Sequence, residues 1–230
     1  MYYDSTFLLL IPALIISFWA QSKISSTYNK YSRVNNANGF TAYQVARQLL
    51  DDAGLYNIPI EQVRGNLTDH YDPKNRVLRL SQTVYNSSSV ASIGVAAHEV
   101  GHAIQHQESY MPLIFRNTIV PLANIGSNFS WGLFFLGIIL GLPTLTDIGI
   151  ILFSAVVLFQ LVTLPVEFNA SNRAIELLGR KSILVREELS SAKKVLNAAA
   201  MTYIAATLMS VAQLLRLLLL SNRRRDQEGQ

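Results

Sequence analysis

The chain has no cysteine. That absence excludes a disulfide framework and any thiolate metal site, so a metal must be held by His, Asp or Glu. Charge is also sparse, since Asp, Glu, Lys and Arg make up only 15% of the 230 residues while half of the chain is hydrophobic. Such a chain is too apolar for an ordinary soluble domain and too charged for a bare helical bundle. Several membrane spans plus a modest water-facing domain fit this balance. The net charge is a mild +4, and basic residues are scattered except for Arg223-Arg224-Arg225. No aromatic–basic groove pattern accompanies them, so nucleic acid is not an expected partner, and anchoring at a lipid surface accounts for the triplet more simply. There is no internal repeat and no low-complexity segment. Histidine is rare, but three of the four histidines fall between positions 98 and 106.

The apolar runs come first. Residues 5–20 form a run of near-spanning length. Its n-region carries no Lys or Arg, and Phe18-Trp19 stand where a cleavage site needs small residues, so an uncleaved anchor with Trp19 at the interface is expected. Residues 118–140 and 147–166 are two further runs, joined as a tight hairpin by the stretch Leu142–Asp147, whose one charge is Asp147. Each is long enough to cross about 30 Å of hydrocarbon at about 1.5 Å per residue. Gly137 and Gly141 form a small-xxx-small pair that allows either close helix approach or merely a lipid-facing break. A helix over 165–179 is expected next, with Pro165 in its first turn and Gly179 at its end. Residues 186–220 read as one long helix, charged at first and apolar from Ala198 to Leu220, with Arg216 able to snorkel.

Residues 21–117 are polar enough to lie outside lipid. Thr41-Ala42-Tyr43-Gln44 reads as a capping box opening a helix that runs to Gly54. Residues 58–67 look strand-like, Asp72-Pro73-Lys74-Asn75 is a turn, and Arg76–Leu80 alternates as a second strand, so a β-hairpin is expected here. Ser87-Ser88-Ser89 offers N-caps for a helix through about residue 107.

That helix carries His98-Glu99-Val100-Gly101-His102, an H-E-x-x-H pattern. Positions i and i+4 lie one turn apart on one helix face, so both imidazoles can reach one metal ion. Glu99 directly follows the first histidine, where its carboxylate can take a proton from water activated by the metal and pass it to a leaving amine. Small residues around it (Ala96, Ala97, Gly101, Ala103) suit close packing. A catalytic zinc ordinarily has three protein ligands. His106 continues the i, i+4 series, but the stripe drifts about 40° every four residues, which would strain a third ligand from the same helix. Glu167, just past the third apolar run, is the stronger candidate. The alternative is a helix N-terminal glutamate placed there by the macrodipole. In residues 67–80, a strand edge beside the motif helix could pair with an extended substrate. His70 or Tyr71 could then stabilise an oxyanion or donate a proton, although the stretch also reads simply as a turn.

The stretches Ala96–His106, Leu67-Thr68-Asp69-His70-Tyr71-Asp72-Pro73 and Leu164-Pro165-Val166-Glu167-Phe168-Asn169-Ala170-Ser171 together resemble the neutral zinc metallopeptidases of the YugP type. The resemblance covers nearly the whole chain. The layout is also distantly similar to the HtpX-like membrane peptidases. The resemblance implies one Zn2+ ion held by His98, His102 and Glu167 in a gluzincin site, with Glu99 as general base, and a bacterial plasma-membrane setting. The HtpX-like pattern Glu-x-x-Ala-Asp is here Glu167-Phe168-Asn169-Ala170-Ser171. A supporting carboxylate is therefore missing, and Asn169, Asn172 or backbone carbonyls are left to orient a metal-bound imidazole.

The expected fold is a mainly α membrane protein, with about four transmembrane helices and a small α+β zincin-like catalytic domain whose β-hairpin precedes the motif helix. Residues 1–20 form the anchor, 21–117 the catalytic domain and 118–166 a two-span hairpin. Residues 167–199 form a helical return segment with the third ligand, and 200–230 a span and basic tail. Lys and Arg near the span ends favour a cytoplasmic active site, with the Arg triplet opposing. The expected activity is zinc-dependent endopeptidase action on membrane or membrane-proximal proteins. A zinc-binding scaffold or chaperone-like protein that does not cut is the alternative. A channel or transporter fits poorly, because ionisable residues within the spans are confined to their ends.

Overall fold

A computed structural model describes residues 5–228, with side-chain surroundings for 6–222. The side chains of the Arg triplet lie outside the described residues. The elements run as a 3-10 turn (Ser5–Leu10), α1 (Ile11–Tyr31), α2 (Ala42–Asp52), β1 (Ile60–Val63), β2 (His70–Asp72) and β3 (Val77–Ser81). They continue with α3 (Gln82–Tyr85), α4 (Val90–Gln107), α5 (Met111–Leu140), α6 (Pro143–Arg180) and α7 (Arg186–Glu228). Among the described residues, four helices are long and apolar enough to cross a membrane, over Thr6–Tyr31, Met111–Leu140, Pro143–Arg180 and Arg186–Asn222.

The chain divides into two compact units. The first comprises residues 1–20, 114–164 and 202–230. Its small core gathers Phe134, Ile150, Phe153, Val157 and Leu217. α5 and α6 are joined by only Gly141 and Leu142. Gly141 adopts φ +67°, a left-handed position that ends α5, and the Leu142 amide donates back to Gly137 O at 2.9 Å. Gly141 is thus a cap. Gly137 makes the close approach, since a Cβ there would run into Thr146.

The second unit comprises residues 21–113 and 165–201. Its core packs Val45, Leu49 and Leu50 of α2 and Leu78 and Leu80 of β3 against Ile93, Ala96, Ala97 and Val100 of α4, with Ala174 and Leu178 of α6. α2 opens on the expected capping box. The Gln44 amide donates to Thr41 Oγ1, and the Thr41 amide to Gln44 Oε1. Ser89 caps α4, accepting from the Ser92 amide. Asn36, held by Phe40 and by the Ser88 carbonyl, ties the preceding linker to that cap.

The sheet corrects the expected pairing. Its order is β1-β3-β2, with β1 parallel to β3 and β2 antiparallel to it. The hairpin ahead of α4 is therefore β2–β3, closed by Asp72, whose Oδ1 accepts from the Lys74 and Asn75 amides. The strand expected over 58–67 is shorter, and it joins β3 alongside rather than through the turn. Three-residue β2 is too brief to register as an alternating run.

Two helix boundaries also differ from expectation. No break occurs at Pro165, which sits inside the continuous helix α6, and Pro121 lies likewise within α5. Proline removes one backbone donor, and neighbouring structure can offset that loss within a long apolar helix. α1 continues past the anchor to Tyr31.

Candidate metal centre

α4 is an 18-residue helix with its motif face turned inward: Ala96, Ala97, Val100 and Gly101 are buried. Gly101 lets α6 approach, because a Cβ there would lie 2.7 Å from Ala170 O. That approach brings Glu167 to the two imidazoles. His98 Nε2 lies 3.1 Å from His102 Nε2 and 3.2 Å from Glu167 Oε2, and His102 Nε2 lies 3.6 Å from the same oxygen. The His98, His102 and Glu167 side chains are 14%, 12% and 6% exposed.

These spacings fit one ion. Donors at about 2.0–2.1 Å from a tetrahedral metal stand about 3.3–3.4 Å from each other. The donor set is two imidazole nitrogens and a carboxylate oxygen, which suits zinc. Burial disfavours a charged His102 imidazole, but the Glu167 and Glu99 carboxylates outweigh it and raise its pKa. The local field thus favours a positive charge at this spot.

Glu99 is 9% exposed, and its Oε2 accepts from the Tyr71 amide at 3.0 Å. Strand β2 therefore fixes the Glu99 carboxylate through its backbone. Residues alternate across a strand, so His70 and Tyr71 serve opposite faces. The Tyr71 hydroxyl is hydrogen-bonded to His106 Nδ1 at 2.8 Å on α4. His70 is exposed, with its ring on Thr68 O and near Arg79. It is not brought into the cluster. His106 holds Tyr71 and is not grouped with the three candidate ligands. Asp69, just before β2, accepts from the amide and hydroxyl of Ser81. Burial raises its pKa, the Ser81 bonds oppose that shift, and the charge of Glu99 adds to it.

Two further side chains back the imidazoles. Ser171 Oγ is hydrogen-bonded to His98 Nδ1 at 3.1 Å, and Gln105 Oε1 to His102 Nδ1 at 3.0 Å. Ser171, the last residue of Glu167-Phe168-Asn169-Ala170-Ser171, thus supplies a hydroxyl behind His98. Asn169 touches neither ring directly, and Asn172 is exposed. Sequence reasoning passed over Gln105. The available signal was spacing: Gln105 is i+3 from His102 and Ser171 is i+4 from Glu167, each on its ligand's own helix face.

Two imidazoles one helical turn apart, completed by a glutamate from a second helix, form the donor set of a metallohydrolase. The chain belongs to the family described as "Putative neutral zinc metallopeptidase", whose sequence model matches residues 6–222. It is 51% identical over 219 residues to "Putative membrane protease YugP" of Bacillus subtilis (strain 168), covering 95% of this chain and 97% of that protein. No solved structure matches the chain.

Proposed function

We propose that this protein is a membrane-bound, zinc-dependent endopeptidase that hydrolyses peptide bonds in membrane or membrane-proximal proteins. The observation that carries this reading is the His98–His102–Glu167 cluster together with the Glu99 carboxylate, held by the Tyr71 amide one residue along from His98. Zinc at such a site lowers the pKa of water to about 7 and polarises a carbonyl. The residues themselves do the rest. His98, His102 and Glu167 hold the ion. Glu99 Oε2 is engaged by the Tyr71 amide, so Oε1 takes the proton from water and later delivers it to the leaving amine. Tyr71 acts by holding that carboxylate in place. Its hydroxyl, bound to His106, steadies β2 against α4.

Four membrane-length helices in the same chain support lipid-associated targets as the substrate class. The relative named as a membrane protease supports the same reading. We place the protein in a bacterial plasma membrane with its site facing the cytoplasm, on the distribution of basic residues near the span ends.

Glu99→Gln separates this reading from a zinc-binding scaffold that does not cut. The variant is expected to retain zinc at the wild-type ratio and to lose cleavage of labelled casein in detergent micelles by about 10²–10⁴-fold. Unchanged cleavage would eliminate the general-base mechanism.

A further inference from the structure

Both candidate metal imidazoles are backed at Nδ1, but by groups of different character. Ser171 offers His98 a hydroxyl, which can donate or accept and so follows whichever tautomer the ring adopts. Gln105 is different. It is fully buried, and its Nε2 donates to Val166 O and to Asn169 Oδ1, both at 2.9 Å. The Val166 carbonyl can only accept, which fixes the direction of the Gln105 amide. Asn169 Oδ1 is fixed in turn by Arg173 Nε, at 2.8 Å, and a guanidinium can only donate. Arg173 is itself held by Glu108 Oε2 at 2.6 Å. Flipping Gln105 would set its oxygen against two oxygens, and flipping Asn169 would set its NH2 against the Arg173 N–H. One arrangement satisfies every member, and in it Gln105 Oε1 faces His102 Nδ1.

We infer that Gln105 is a positioning residue that locks His102 as the Nδ1–H tautomer, with Arg173 enforcing the lock from α6 through Asn169. A neutral imidazole protonated at Nδ1 carries its lone pair on Nε2, the atom turned toward His98 Nε2 and Glu167. The ring is therefore pre-set for a cation before one arrives. This inference rests on the metal-binding reading above for its purpose, but the tautomer itself does not depend on a bound ion.

The test uses full-length protein in detergent micelles, with two readouts. The first is the 15N spectrum of labelled histidine in metal-free protein, recorded at a pH high enough for the His102 ring to be neutral, with His102 assigned by its substitution. The second is zinc affinity by chelator competition. Wild type is expected to show His102 protonated at Nδ1. Gln105→Leu, close in volume and without polar atoms, is expected to shift that proton toward Nε2 and to weaken zinc binding about 10–100-fold. Arg173→Met, at a partly exposed position, is expected to move both readouts in the same direction by less, and Arg173→Lys to restore them. A Gln105→Leu protein with an unchanged His102 tautomer and wild-type zinc affinity would overturn the inference. If wild type itself binds no zinc, the metallopeptidase reading falls. The histidine spectra then still decide whether Gln105 sets the ring.

Discussion

In the unit built on α4, large aliphatic side chains point inward: Leu49, Leu50, Leu78, Leu80 and Ile93 are fully buried. In the span-rich unit the same residue types point outward, with Ile139, Leu140, Ile151 and Leu158 exposed around a much smaller core. The difference is one of solvent. Water drives apolar surface inward by about 25 cal/mol per Å², whereas hydrocarbon is as apolar as leucine and exerts no such drive. Helices in the second setting associate through close packing instead, which is why Gly126, Gly137 and Gly149 stand where a Cβ would strike a neighbouring helix. Polar side chains divide in the same way. The α4 unit carries linked networks around Glu99, Gln105 and Asp69. In the spans, by contrast, Ser154 and Thr163 bond back to carbonyls one turn earlier.

That contrast can be broken hardest at Leu78. A Leu78→Asp substitution buries an unpaired charge in the α4 unit and is expected to cost about 4–5 kcal/mol, seen as loss of the protease-resistant unit in limited digestion. Retention of the resistant fragment would mean that this core is not built by water exclusion. Leu158→Lys asks the same question of the other unit. It is expected to reduce membrane insertion by about 2.5–3.5 kcal/mol in a translocon assay, whereas Tyr56→Lys, exposed in the α4 unit, should change nothing measurable. Equal insertion of the Leu158 variant would argue against a lipid-facing position.

The approach of α4 to α6 gives a finer test. Gly101→Ala is expected to destabilise by about 1–3 kcal/mol and to lower zinc content, because the new methyl meets the Ala170 carbonyl. Gly94→Ala on the same helix meets Ala192 only at ordinary contact distance and should be within about 0.5 kcal/mol of wild type. Thermal melts of the two proteins side by side would show it, and equal melts would remove the claim that Gly101 sets the site. The smallest effect concerns Asp69. A native pKa raised by burial favours the protonated form in the folded state, so its contribution is present below the unfolded pKa of about 3.9 and is lost as pH rises through the higher native value. Asp69→Asn should flatten that part of the stability–pH curve relative to wild type. A curve that superimposes on wild type would exclude Asp69 as the source.

Much of this was open to reading along the chain. The capping box at Thr41–Gln44, the Asp72–Asn75 turn and the Ser89 cap depend on neighbours within a few residues, and each was legible for that reason. The partners of the sheet were not legible. β1 pairs in parallel with β3, so the turn between the two strands cannot set their pairing as a hairpin would. Nor was the continuity of α6 through Pro165, where local steric preference yields to the surrounding helix.

The sequence by itself determined that two histidines share a helix face with a glutamate between them, that no thiolate could assist, and that the chain has apolar runs of spanning length. Those properties follow from covalent spacing and composition. Only the tertiary structure decided that Glu167 closes the cluster, that the Tyr71 amide holds Glu99, and that Gln105 and Ser171 stand behind the rings. These partners are brought together across 28 to 73 residues of chain in three of the four cases, and for Gln105 the direction of its amide is set 61 and 64 residues away. Hydrogen bonds act over about 3 Å of space whatever the separation along the chain, so spacing could nominate Glu167 but could not show which groups meet.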